Sequence, residues 1–229
     1  MKSLFLAVLA IASFAGDSFG QTIINSVPYT ISAPGNYVLG SNLTYSSAAG
    51  AAITILSSNV TLDLGGHYLY FPGTPTSNVG VYVHNAGNVI IQNGIIAVFY
   101  YGVYIEHTGA TALNSGDIVQ DLRLTNVTYG VILSTIEGSI VRNNQITCGP
   151  TMGIVIDIFG GGGNLVSGDV ISGFGTGVFA NGNNYSLENM VSNCGFGFFL
   201  SASDKYRFNT TFNCTTPFNG GTPLTDENN

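Results

Sequence analysis

Five side chains in the middle of the chain have the types and spacing for shared chemistry: Tyr82, His84, Tyr104, Glu106 and Asp157. Four of them come as pairs two residues apart, Tyr82-Val-His84 and Tyr104-Ile-Glu106. On an extended strand that spacing puts both members on one face. An aromatic face beside hydrogen-bonding groups suits a sugar, whose ring stacks while its hydroxyls find polar partners. Two carboxylates also raise the chemistry of glycoside cleavage, in which one acid and one base flank the bond about 6.5–9.5 Å apart in inverting enzymes. Cys148, Cys194 and Cys214 form a second group to be placed.

These residues need a scaffold that brings distant stretches together, and a repeat supplies one. A Gly followed by an apolar residue recurs as Gly80-Val81, Gly102-Val103, Gly130-Val131, Gly153-Ile154, Gly177-Val178 and Gly197-Phe198, at intervals of 22, 28, 23, 24 and 20 residues. Such a period marks a solenoid. After each Gly the chain alternates, so Val81, Val103, Val131, Ile154, Val178 and Phe198 are expected to point inward, as are the residues two further on. The outward column between them is expected to read Tyr82, Tyr104, Ile132, Val155, Phe179, Phe199, and the next outward column His84, Glu106, Ser134, Asp157, Asn181, Ser201. An apolar outward column breaks the usual apolar-in, polar-out rule. It marks a surface that meets something else. Each coil ends near an Asn-like residue, at Asn93, Asp121, Asn143, Gly168, Asn189 and Asn209. Asn there tolerates a left-handed corner and can bond to its neighbour above in a ladder. Extra loops fall at Phe71 to Asn78 and at Gly109 to Gly116.

Composition agrees. The chain has 229 residues, 45% apolar, 7% charged, with 31 Gly and no Trp. That suits a β-fold with many tight turns and excludes disorder. A net charge of −7 with five basic residues excludes a nucleic-acid partner and a basic groove for acidic polysaccharides. Lys2, the apolar run Leu4 to Ala15 and the small residues before Gly20 read as a signal peptide over residues 1–20, with no membrane span after it. The mature protein is therefore expected outside the cytoplasm, in the periplasm, on the cell surface or secreted. Residues 21–50, with a Pro-Gly-Asn turn at Pro34 to Asn36, are expected to cap the solenoid. Residues 51–214 form the solenoid, and 215–229 a polar tail whose first part lies over the last coil and whose end, Asp226 to Asn229, is mobile.

The phrase Asn59-Val-Thr-Leu-Asp-Leu-Gly-Gly-His67, followed by Gly-Val-x-Val and Asn-Val-x-Ile-x-Asn-Gly units, resembles the right-handed parallel β-helix family, the pectate-lyase-like superfamily in its broad sense. The resemblance spans about residues 51 to 214 and implies an all-β stack of about seven to eight coils of three parallel strands. It implies no one activity, because the fold carries lyases, hydrolases, epimerases and inert surface proteins. The paired Asp and Gly-His-Gly of the family's hydrolases are missing here; Gly65-Gly-His67 sits in the first coil without an acidic partner column. The arginines Arg123, Arg142 and Arg207 are scattered, unlike the base beside a lyase's calcium ligands.

On this register Glu106 and Asp157 lie two coils apart, roughly 9–10 Å. Cys194 and Cys214 occupy adjacent coils, about 4.8 Å apart, within reach of a disulfide, and Cys148 is left free and buried. His67, His84 and His107 fall in different columns, and no paired Cys spacing suggests zinc, so neither metal nor cofactor is expected. Gly160 to Gly163 is a bare corner, lacking the Gly-Lys-Ser/Thr ending of a phosphate cradle. No outward column is Thr-rich, which sets ice binding aside. The favoured reading is an exported protein with a binding or structural role at extracellular carbohydrate, using Tyr82, His84, Tyr104, Glu106 and Asp157. The alternatives are a polysaccharide hydrolase or lyase with Glu106 and Asp157 as acid and base, and self-association through Tyr82, Tyr104, Ile132, Val155, Phe179 and Phe199.

Overall fold

Strict alternation of small β-branched residues with polar or aromatic ones forces short strands, and glycine or asparagine at every break forces tight corners. The computed structural model describes residues 20–109, 113–149, 153–173 and 175–224; the segment expected as a signal peptide, save Gly20, and the last five residues of the expected tail lie outside them. Among the described residues there is no helix, and every strand pairing is parallel. The chain is a right-handed parallel β-helix.

On the face that carries Tyr82, nine strands stack in one column, with Thr30, Thr54, Tyr82, Tyr104, Ile132, Asp157, Phe179, Phe199 and Asn219 above one another. The 21–50 segment, expected as a cap, is itself wound into this stack: Tyr29–Ile31, Gly35–Leu39 and Leu43–Thr44 each pair in register with the next coil. Thr22–Ile24 lies alongside Gly35–Leu39 beyond it. At the other end, residues 215–223 do not lie over the last coil as a tail. They complete a further one, with Phe218 opposite Phe198 and Pro223 opposite Tyr206.

The core is a set of vertical columns. Ile53, Val81, Val103, Val131, Ile156, Val178 and Phe198 share one, all at 0% exposure. Each such side chain contributes about 1.5–3 kcal/mol when buried. Beside it runs the glycine column: a Cβ on Gly102 would stand 2.7 Å from the Gly130 carbonyl oxygen and 2.4 Å from Leu124. Glycine is needed there because the neighbouring coil leaves no room.

One coil departs from the expected register. Val131 pairs with Ile156, not Ile154, and Ile156 with Val178. Gly153 is not the column glycine. It is glycine for a different reason, since a Cβ there would sit 1.6 Å from the Thr128 carbonyl oxygen. Val155 fills the glycine column instead and is fully buried, with room made by Gly173 across the core. The side chains of this coil are thus two residues out of step with the expected columns: Val155 leaves the outward strip and Asp157 takes its place.

The corners show a second offset. The left-handed column is Asn93, Asp121, Asn143, Gly168, Glu188 and Phe208, with φ between 53° and 67°. Asn189 and Asn209, expected there, lie one residue later and point inward. With Asn144 and Asp169 they form a buried ladder: each side-chain oxygen accepts the backbone N–H of the residue one coil back, Asp169 from Asn144 at 2.7 Å, Asn189 from Asp169 at 3.0 Å and Asn209 from Asn189 at 2.9 Å. Asn164, Asn184 and Asp204 build a matching ladder at another corner. Both ladders satisfy backbone groups that the turns would otherwise leave buried and unpaired.

Candidate functional site

The Val79–His84 and Tyr101–Glu106 strands pair with Tyr82 opposite Tyr104 and His84 opposite Glu106. All four side chains are half-buried on the outer face. The two tyrosine rings lie 5.6 Å apart, and the His84 ring lies 5.6 Å from Tyr82. Both hydroxyls donate to Glu106, Tyr104 to Oε2 at 2.6 Å and Tyr82 to Oε1.

That arrangement assigns the histidine. Tyr82 has one proton and gives it to Glu106, so His84 Nδ1, 3.0 Å from the Tyr82 oxygen and 3.3 Å from Glu106 Oε1, is the N–H donor. Asn85 settles the other nitrogen. Its Oδ1 accepts the Thr108 N–H at 2.8 Å, which turns Nδ2 toward His84 Nε2 at 3.0 Å as a donor. Both ring nitrogens are engaged within the protein.

Burial pushes the Glu106 carboxyl up, but the hydroxyls of Tyr104 and Tyr82 and the His84 contact outweigh it and hold the group below the usual carboxylate range. The same burial, reinforced by the hydrogen bonds to Glu106, raises both tyrosines. The cluster therefore offers an ionised acceptor ringed by protonated phenols at neutral pH.

The aromatic surface is wider than the sequence reading placed it. Tyr101 lies 5.5 Å from Tyr104 and 5.3 Å from Tyr129, and Tyr100 lies 4.7 Å from Tyr101 and 5.5 Å from Tyr129. Tyr101 pairs with Tyr129, so these rings stack for the same reason Tyr82 and Tyr104 do. The signal was present as a tyrosine just before Gly102 and Gly130, in the outward position preceding the glycine. Below, Phe179 and Phe199 stack at 5.5 Å, and Phe159 stands 58% exposed in the column that begins with His84 and Glu106.

Asp157 belongs to the tyrosine column, between Ile132 and Phe179, and not to that of Glu106. Two coils and two residues separate the carboxylates, roughly 12 Å on strand geometry, beyond the inverting range. Burial among apolar neighbours lifts Asp157 to about 6. Of the strip expected to drive self-association, Val155 is buried in the core and Ile132 is 9% exposed, while Tyr82, Tyr104, Phe179 and Phe199 do face outward.

The cysteines lie near the C-terminal end of the stack. Cys194 and Cys214 are register partners, but all three cysteines are free. In-register parallel neighbours keep their Cβ atoms about as far apart as the strands, about 4.8 Å, against the 3.5–4.5 Å a disulfide needs.

Fold and face together define an exported right-handed β-helix with an aromatic and acidic outer surface. The structure is similar to the enzymatically active domain of the bacteriophage CBA120 tailspike protein 2, with a TM-score of 0.53 and 15% identity, covering 85% of this chain and 39% of that one. At that identity the likeness is one of fold, and this chain spans well under half of the tailspike domain. No curated protein matches the sequence. The family model described as "Periplasmic copper-binding protein (NosD)" matches residues 57–215, and the chain belongs to the NosD family. The periplasmic location in that description agrees with the export signal read at the N-terminus, and the protein is extracytoplasmic. No helix among the described residues is long and apolar enough to cross a membrane.

Copper, named in the family's description, makes definite demands on its donors. Copper(II) takes imidazole and oxygen ligands in square-planar sets. Among the described residues no three of His, Cys, Asp and Glu come together in a metal-holding group. The nitrogens of His84 are already engaged, so that face does not fit copper(II).

Proposed function

We propose that the protein binds carbohydrate, uncharged rather than acidic, on the face formed by Tyr82, Tyr104, Tyr101 and Tyr129 with His84, Glu106 and Asp157. The observation that carries this is the clustering of half-exposed tyrosine rings around one ionised carboxylate. Glu106 accepts from Tyr104 and Tyr82 and keeps lone pairs for a sugar hydroxyl. Stacking supplies affinity and the carboxylate orients the ring. The net charge of −7 disfavours acidic polysaccharides.

Cleavage is the weaker reading. Glu106 is held ionised, which suits an acceptor and not a general acid, and Asp157 is too far away to share one bond with it. Glycan-array screening followed by calorimetry tests the proposal. Binding to at least one neutral glycan, weakened tenfold or more by Tyr82→Ala or Tyr104→Ala with an unchanged circular dichroism spectrum, supports it. No glycan bound, or variants that bind as the parent does, would refute it. Release of reducing ends that stops with Glu106→Gln would replace it with the enzymatic reading. A mass that rises with concentration and falls to monomer with Phe179→Ser would replace it with self-association.

A further inference from the structure

A second outward column is apolar, on strands that the tyrosine face does not use. Ile90, Ile118, Ile140, Leu165 and Tyr185 stand above one another in five successive coils. The first four are half-buried and Tyr185 is 43% exposed. Thr61 and Asn36 continue the column at one end, and Lys205 and Thr222 at the other. Ile140 is therefore its midpoint. An outward sheet face that meets water is polar, so this row marks a surface that packs against something. The column beside it carries the charge. Asp63 lies near one end and Arg207 at the matching place near the other, two residues from Lys205 and with its guanidinium over the Phe208 ring. Between them Gln120 donates to Gln92 at 2.9 Å, and Arg142 donates twice to Gln120, at 2.9 and 2.7 Å.

We infer that this face is the interface of a two-fold dimer, in which a second copy of the chain packs sheet to sheet with its stack running the opposite way. Rotation about an axis through Ile140 sets Ile118 against the second copy's Leu165 and Ile90 against its Tyr185. It also brings Asp63 of each copy to Arg207 and Lys205 of the other. The acidic and basic ends of one face thus meet the basic and acidic ends of its mate. A two-fold arrangement with the stacks running the same way would set Lys205 against Lys205, and like charges disfavour it. The two Arg142 side chains approach the axis, but each leans toward its own Gln120, and in an antiparallel pair those directions diverge. The corner carboxylates meet no like charge: Asp121 comes opposite Gly168, and Glu188 opposite Asn93. Each copy offers a face of about 38 Å by about 12 Å, so the pair buries about 900 Å². That is below the roughly 1,200 Å² of a stable complex and sets a reversible, concentration-dependent dimer. The tyrosine face is on other strands and stays open, so a dimer presents two of them to a multivalent ligand. The inference does not rest on the sugar reading, and either can fail alone.

Sedimentation velocity of the exported chain across the micromolar range tests this. The mass is expected to rise from monomer to dimer with concentration. Ile140→Lys sets two ammonium groups against each other at the axis and should weaken association about tenfold or more, with the parent's melting temperature. Lys205→Glu reverses a charge on the same face and should weaken it too, which keeps the test open if Ile140→Lys does not fold. Phe179→Ser, on the tyrosine face, should associate as the parent does. A zero-length carbodiimide should join the Asp63 carboxyl to the Lys205 amine as an amide, the carbodiimide taking up the water, and peptide mass mapping should find that link in the dimer band alone. Within one chain the two residues are six coils apart, about 29 Å, so the link reports contact between copies. A monomer at every concentration, a dimer that both face substitutions leave intact, association lost with Phe179→Ser, or a crosslinked dimer without the Asp63–Lys205 link would overturn the inference.

Discussion

Asp169 interrupts a buried ladder of asparagines, and replacing it with asparagine should stabilise the protein in a pH-dependent way. Its Oδ1 accepts both the backbone N–H of Asn144 at 2.7 Å and its side-chain amide at 2.9 Å. Its Oδ2 is buried and has no partner. In the coils on either side the matching atom is an amide nitrogen that donates one coil back: Asn144 to the Val119 carbonyl at 3.1 Å, Asn189 to Val166 at 3.0 Å and Asn209 to Ser186 at 2.7 Å. Those three acceptors share a column with Val141, so the same register turns Asp169 Oδ2 toward the Val141 carbonyl. Two acceptors face each other unless the carboxyl is protonated. Burial lifts this group from 3.8 to about 7, against the smaller opposing effect of the Asn144 hydrogen bonds. A folded-state pKa above the unfolded one means the folded chain holds the extra proton. The penalty is therefore absent below pH 4, grows between pH 4 and 7, and is full above 7. A difference of about 3 pH units at 1.36 kcal/mol each gives about 4 kcal/mol. Asp169→Asn removes the charge and restores the donor. Thermal unfolding followed by circular dichroism should find parent and variant equal near pH 4 and the variant higher by about 8–16 °C at pH 8, taking 2–4 °C per kcal/mol for a chain of this size. Asp204 supplies the control. Its Oδ1 accepts from Asn184 and its Oδ2 from the N–H and hydroxyl of Ser201, so Asp204→Asn should lower stability. A gain at Asp169 that is constant from pH 4 to 8, or a loss at every pH, would refute the argument.

Two further substitutions probe the scaffold and the face. Gly102→Ala puts a methyl 2.7 Å from the Gly130 carbonyl and 2.4 Å from Leu124, and since backbone cannot swing aside it should cost about 1–3 kcal/mol in urea denaturation. Tyr104→Phe removes a donor to Glu106 Oε2, so the Glu106 carboxyl should titrate at higher pH by carbon-detected NMR, with binding retained because the ring remains.

Much of the architecture was legible because solenoid physics writes itself into sequence at each coil. The inward columns, the Tyr82–Tyr104 and His84–Glu106 pairings and the Cys194–Cys214 register follow from alternation and repeat length alone. What failed was counting through one coil. Gly153 mimics the repeat glycine, yet its smallness answers to the Thr128 carbonyl, and only the packing between coils distinguishes the two roles. That single slip moved Asp157 from the acidic column to the aromatic one and made a catalytic pair out of two unrelated carboxylates. The corner asparagines failed for a related reason. Asn is equally suited to a left-handed corner and to a buried ladder one residue later, and composition cannot choose between Glu188 and Asn189.

Function is harder to read than fold here for a physical reason. Stacking aligns like positions whether or not they act together, so any outward column of tyrosines or carboxylates looks like a site. The discriminating feature is whether polar groups are already satisfied. His84 and Glu106 meet each other, two tyrosines and Asn85, which leaves an ordered surface with spare acceptor capacity and no free proton carrier. Asp157 is the opposite case, a half-buried carboxyl among Ile132 and Phe179 whose raised affinity for a proton reflects burial alone. A surface whose hydrogen bonds close on themselves while its rings stay open is the arrangement that the proposed sugar binding requires.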